Sequence, residues 1–318
     1  MSAVGAALSQ GLGAEDRRFA IATRRRVADR AWWALAALAL ALVVAPVVWI
    51  LAGVVADALP GWRWNVFTEV TTGTGGGLAN AIVGTVVLTV GVGILAGFVG
   101  IGAGIYLAEF ARPGRLPTLL RSASEVLSGI PSIVFGYCGY LVLVVGLHWG
   151  YSLLAALIVL SILVVPYIAK ATELALNQVP VAYREGGEAL GMPRTHLLRR
   201  VVMRAALPGV LTGLIVALAI SVGETAPLLY TAGFSNAYPS GALVHEPVGY
   251  LTYAVYTFYN EPGAPARALA SDAALILVAI VVVLILASRL LVRLTQRHAP
   301  DRAAGGRRIG RRGQARPA

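Results

Sequence analysis

The chain holds one lysine, Lys170, and one cysteine, Cys138. Ala169 precedes that lysine, so a phosphate-binding loop of the form GxxxxGK[ST] occurs nowhere. An ATP site of that kind is excluded. A single cysteine excludes an internal disulfide and a cysteine metal site. The histidines His148, His196, His245 and His298 are scattered without HExxH spacing and read as surface or interfacial residues. The nucleophile elbow G-x-S-x-G is also missing. Glu185 and Glu188 form a close carboxylate pair, but on an exposed helix they read as solvated charge. Charge itself is scarce: 13% of residues against 58% hydrophobic, with mean hydropathy +0.75. A soluble globular protein is excluded, and a membrane enzyme lacks the residue cluster it would need.

What is present is a series of long uncharged runs. Ala31–Ala56, Val70–Ala108 and Val126–Ala169 carry no charge, and Ala205–Val244 carries only Glu224. A bilayer-spanning helix needs about 20 apolar residues. The runs predict six transmembrane helices, at about 32–57, 81–107, 128–147, 151–172, 208–232 and 271–292. Gly146–Ser152 reads as a reversal between two of them. The first helix is too long, and its Arg-rich leader too extended, for an ordinary secretory signal. It reads as a retained anchor.

The net charge of +11 is distributed, not clustered. With the N-terminus inside and six alternating spans, every lysine and arginine except Arg63 and Arg267 falls on the inner side. This satisfies the positive-inside rule and leaves nothing to argue for nucleic acid. Residues 1–30 are expected to be a basic cytoplasmic extension. Residues 31–293 form the membrane domain, and 294–318 a basic, disordered cytoplasmic tail able to touch lipid headgroups.

Within the membrane domain, Gly93/Gly97 and Gly100/Gly104 have the spacing that lets helices approach closely. Pro131, Pro166 and Pro227 are candidate kinks or breaks. Polar residues gather beside two of them: Ser128 and Ser132 around Pro131, and Glu224 and Thr225 before Pro227. A carboxylate within hydrocarbon costs ~2.5–3.5 kcal/mol on insertion scales. Glu224 therefore either faces a polar pathway or snorkels to the nearby interface.

The segment from about 173 to 204 has helix signals. Pro180 ends one helix, Val181–Leu190 forms another, Gly191 stops it, and Pro193 opens the next. This is a helix-turn-helix, either a docking element or an amphipathic segment on anionic lipid.

These residues resemble the permease subunits of binding-protein-dependent ABC importers, and among them the PstA-type permeases of phosphate import. The resemblance rests on Gly104-Ile-Tyr-Leu-Ala-Glu-Phe110, Gly129-Ile-Pro-Ser-Ile-Val-Phe-Gly136, Glu185-Gly-Gly-Glu-Ala-Leu-Gly191 and Gly223-Glu-Thr-Ala-Pro-Leu-Leu-Tyr-Thr-Ala232. It spans roughly residues 30–293. Two departures stand out. Gly186 and Gly187 replace the alanines of the usual importer motif, and Ile220 stands where many relatives have arginine one turn before the glutamate.

The resemblance implies an all-α membrane protein with the type I ABC importer permease fold. It implies a phosphate importer subunit with no catalytic site, metal or cofactor of its own, in the cytoplasmic (inner) membrane of a prokaryote. ATP and magnesium would be used by a PstB-type ATPase dimer. A PstC-type second permease and a PstS-type phosphate-binding protein would complete the assembly. Glu224, Thr225, Pro227, Ser132 and Ser128 would lie at the translocation pathway. Tyr183, Arg184, Glu185, Gly186, Gly187, Glu188, Ala189, Leu190 and Gly191 would form the ATPase-coupling segment. The alternatives are a permease for molybdate, sulfate or phosphonate, and a stand-alone channel or secondary transporter.

Overall fold

The structure, a computed structural model, describes residues 3–296, with side chains described from 29 to 294. The chain divides into two units, Met1–Pro60 and Gly61–Ala318. The first unit is one helix, α1 (Ala3–Ala58), apolar from Asp29 onward and carrying Pro46. It continues without a break through residue 30, where the sequence reading separates extension from span. The tail beyond Gln296 lies outside the described residues.

The second unit begins with a loop and a two-stranded antiparallel hairpin, β1 (Thr71–Thr72) and β2 (Gly75–Gly76), with Thr71 opposite Gly76. Buried Asn80 stitches this loop down. Its side-chain oxygen accepts from Thr71 N and Oγ1, each at 3.0 Å, and its Nδ2 donates to Ser235 O at 2.8 Å.

Helix α2 (Ala79–Ile105) continues as a π-helical turn, Tyr106–Phe110. Helix α3 (Arg115–Gly129) comes next, then α4 (Ser132–Gly139), which runs into a second π-helical stretch, Tyr140–Gly146. After these lie α5 (Leu153–Asn177), α6 (Val181–Ala189) and α7 (Arg194–Leu197). Through the π turn Leu198–Val202, α7 joins α8 (Met203–Gly223). Short α9 (Ala226–Thr231), α10 (Leu251–Asn260) and long α11 (Ala264–Gln296) complete the unit. Among the described residues five helices are long and apolar enough to span a membrane, and six if the bent pair α3–α4 counts as one.

Helix α5 is the core of this unit. Two-thirds (67%) of its apolar window is buried, against 33% for α2. Val164, Ile168 and Leu176 are fully enclosed. In lipid, apolar burial gives helices no net drive to associate, so close contact of small residues must supply it. The glycines of α2 do this on two faces. A Cβ at Gly100 would lie 2.7 Å from Ile168 Cβ, and one at Gly104 2.5 Å from Thr172 Cβ, both on α5. Gly93 and Gly97 face Leu218 and Leu214 of α8 instead.

Three expectations are corrected. The third span does not begin at 128. Arg115–Gly129 is a helix in its own right, bent 99° from the Ser132–Gly146 segment. The fifth span is not continuous over 208–232. Its helical rod begins at Arg194, passes through Pro208, and ends at Gly223. Pro166, a candidate kink or break, is no correction: it sits inside an unbroken α5, as bending without a break allows. The last helix begins at Ala264 instead of about 271, and α10 precedes it in a stretch where no helix was placed. Helix α10 buries Leu251, Ala254 and Phe258, which recur on one helical face, against α11.

Candidate functional site

Both proline-marked segments are breaks in helices, and the fold brings them together. The first break is Ile130–Pro131. The ring of Pro131 excludes the preceding residue from helical space, so Ile130 is extended (φ −77°, ψ 132°), and Pro131 follows it in an extended conformation (φ −57°, ψ 136°). The second is Glu224–Thr225. Glu224 takes an extended backbone (φ −72°, ψ 129°), and α9 restarts with proline in its first turn.

The short helices after the breaks pack directly on each other. A Cβ at Gly136 would sit 2.6 Å from Pro227 Cα and 3.1 Å from Ala226 O, so α4 and α9 touch backbone to backbone. Aromatic side chains extend this contact. Tyr137 and Tyr230 rings lie 6.1 Å apart, Tyr140 and Tyr230 6.4 Å, and Tyr140 and Tyr151 6.2 Å.

The expected pathway residues take distinct places around these breaks. Glu224 is half-buried, and its backbone carbonyl accepts from Thr252 Oγ1 at 3.0 Å. Among the described residues no hydrogen bond or ion pair reaches its carboxylate. Thr225 caps α9 without a side-chain cap bond, and its carbonyl accepts from Leu229 N at 3.1 Å. Pro227 is buried and seats Gly136. Ser132, half-buried, opens α4. Ser128 belongs elsewhere: it is exposed before the first break, with its hydroxyl donated to Ser124 O and Glu125 O.

Ser128 borders a cavity of about 140 Å³ between α3 and α5, shared with Arg121, Ser124, Glu125, Lys170 and Glu173. Arg121 donates to Glu173 Oε1 through Nε at 3.0 Å and Nη2 at 2.9 Å, and to Leu107 O at 3.3 Å. Glu173 Oε2 is buried without a partner. The sequence reading did not single out Arg121 or Glu173. A carboxylate that becomes buried near the end of an apolar run was the available signal.

The segment expected to couple to an ATPase folds as the turn chemistry requires. Gly191 adopts φ +69°, its N–H donates to Glu188 O at 2.9 Å, and Met192 N–H donates to Gly187 O at 3.1 Å. That pair of bonds closes a helix through a left-handed residue. Only Arg184 and Gly187 of α6 turn inward. Tyr183, Glu185, Gly186, Glu188, Ala189 and Leu190 are exposed, Leu190 by 77%. Gly187 lies so close to Leu197 that a Cβ would come within 2.2 Å of its Cδ1. The outer side of the turn thus exposes apolar Tyr183 and Leu190 beside acidic Glu185 and Glu188.

A bundle of membrane-spanning helices, interrupted at two meeting points and carrying such a turn, defines a multi-span permease. Helix breaks of this kind in membranes are tolerated where they line a cavity or are covered by protein. Residues 100–299 match the family described as binding-protein-dependent transport system inner membrane component, and the chain belongs to that family. It is 53% identical over 280 residues to the phosphate transport system permease protein PstA 2 of Mycobacterium bovis, covering 88% of this chain and 93% of that protein. It is 34% identical over 268 residues to the probable phosphate transport system permease protein PstA of Methanocaldococcus jannaschii, covering 81% and 91%. Its fold is similar to the inward-facing MetNI methionine ABC transporter, with TM-score 0.56 and 24% identity over 69% of this chain and 95% of that one. The chain is thus an inner-membrane permease component of a binding-protein-dependent transport system.

Proposed function

We propose that this chain is a permease subunit of an ATP-driven importer of inorganic phosphate. The observation that carries the reading is 53% identity, along 88% of the chain, to a protein named as a phosphate transport permease. The two broken spans support it, because they place a half-buried, internally unpaired Glu224 beside Thr225 at a helix interruption.

A carboxylate repels an anionic substrate, so Glu224 does not ligand phosphate directly. It holds a cation in the pathway, and that cation comes from a second, PstC-type permease, since Ile220 occupies the turn before it. Thr225 and Ser132 supply hydroxyl donors at the two breaks, and Pro227 fixes their separation. Ser128, on the other side of the first break, lies where solute leaves.

The Tyr183–Gly191 segment sits on a PstB-type ATPase dimer, which binds ATP and magnesium; this chain binds no cofactor. A PstS-type protein delivers phosphate from outside. Both termini are cytoplasmic in the membrane of a prokaryote, a reading the arginine distribution supports.

The test is uptake of labelled phosphate at low external concentration, in cells with and without this chain and lacking other phosphate systems. The expected result is ATP-dependent uptake that arsenate competes for and sulfate and molybdate do not. Competition by sulfate or molybdate instead would replace phosphate with that oxyanion.

A further inference from the structure

Two segments singled out in the sequence, Gly104–Phe110 and Glu185–Gly191, lie far apart in the chain. In the structure they meet. Glu109, in the π turn that ends α2, accepts from Arg184 Nη2 at 2.6 Å. Arg184 is the first residue of α6 to turn inward, and it also donates to Val179 O and Leu176 O, each at 3.0 Å. On the other arm of the turn, Arg194 donates to the backbone carbonyl of the same Glu109. Its guanidinium also lies 5.3 Å from the centre of the Phe110 ring. Two arginines, one from each arm of the helix-turn-helix, therefore close on two adjacent residues at the end of α2. The Glu109 and Arg184 side chains are 12% and 25% exposed, so water screens this pair little.

We propose that Glu109 is a positioning residue for energy coupling: through Arg184 it locks the exposed turn to α2, so that the two move as one body. The inference rests on reading the turn as the ATPase-docking element. Without the lock, an ATPase would still grip the turn, but its displacement would be absorbed between α6 and α2. With it, displacement passes to α2, and from there to α5 and α8 through the glycine faces. The π turn suits this role. An extra residue in the helix turns Glu109 toward the bond while leaving the rest of α2 in register.

The test uses the assembled complex of both permeases with the ATPases. Spin labels are placed at two exposed residues, Val181 at the start of α6, outside the Tyr183–Gly191 docking segment, and Phe98 on α2. In the wild-type complex the distance between them should stay constant when ATP binds. In Glu109→Gln it should shift or broaden on ATP binding, while the ATPases co-purify in normal amounts. In proteoliposomes with the binding protein, solute imported per ATP hydrolysed should fall by roughly tenfold or more. A label distance that is ATP-invariant in the variant as well, or that changes in the wild type, would overturn the proposal. So would an unchanged import-to-ATP ratio, or loss of the ATPases from the complex. Arg184→Gln removes the same pair from the other side and carries the test if Glu109→Gln does not insert. The label distances do not depend on the solute. A wild-type complex that imports no phosphate would therefore count against phosphate alone.

Discussion

Replacing Gly136 by alanine places a methyl group where two backbones already touch. The new Cβ would lie 2.6 Å from Pro227 Cα and 3.1 Å from Ala226 O. Carbon atoms in contact prefer about 3.5–4.0 Å, so α4 and α9 must part by roughly 1 Å at this point. Neither neighbouring atom is the tip of a side chain that could swing away. Overpacking of this sort costs about 1–3 kcal/mol, a factor of roughly 5–150 in the population of the packed arrangement. Alanine also gains about 0.8–1 kcal/mol of helix propensity over glycine. Gly102→Ala on α2 gains the same propensity but has nothing within 4 Å of its Cβ. The difference between the two variants therefore isolates the clash. Both are purified with their partners and compared by thermal midpoint and by initial rate of uptake. Gly136→Ala should lower the midpoint and cut uptake about fivefold or more, while Gly102→Ala keeps the wild-type uptake rate and a midpoint at or above the wild type's. Equal behaviour of the two would refute the claim that the helix breaks are held by this contact.

Three further outcomes are expected. Gly191→Val forces a β-branched residue to φ +69°, a cost of about 1–3 kcal/mol; it should reduce ATPase co-purification, and Gly191→Asn should restore most of it. Glu224→Gln should impair uptake while leaving assembly intact, read by transport beside subunit stoichiometry; unchanged uptake would assign Glu224 to a peripheral, snorkelling role. Arg121→Gln should lower thermal stability more than Glu173→Gln, because only the first strands a buried carboxylate without its cation; the reverse order, or equal midpoints, would show that the pair is not what fastens α3 to α5.

The long uncharged runs made the apolar spans legible, because each is set by local composition. The turn at Gly191 was legible too, since a glycine two residues before a proline has few other uses between helices. Helix α3 was not. It carries Arg115, Arg121 and Glu125, so a hydropathy reading sees a loop where an amphipathic helix lies. The break at Glu224 was readable in principle, because a proline two residues into α9 marks a helix start rather than a kink. The ion pairs Arg121–Glu173 and Arg184–Glu109 span 52 and 75 residues. Their partners are chosen by helix packing, which composition does not encode. The glycines of α2 announced close approach, but only the structure divides them between α5 and α8.

The helix after the first break is short. Ser132–Gly146 comprises 15 residues, about 22 Å of helical rise against a hydrocarbon core of about 30 Å. Such a segment lacks the length to settle across a bilayer unaided. The turn after it is tight: His148 and Gly150 both adopt positive φ, and Trp149 and Gly150 donate back to Leu143 and Val144. Helix α5 begins three residues later and is long and apolar. During synthesis the short helix would thus wait at the membrane for α5 and enter with it as a hairpin.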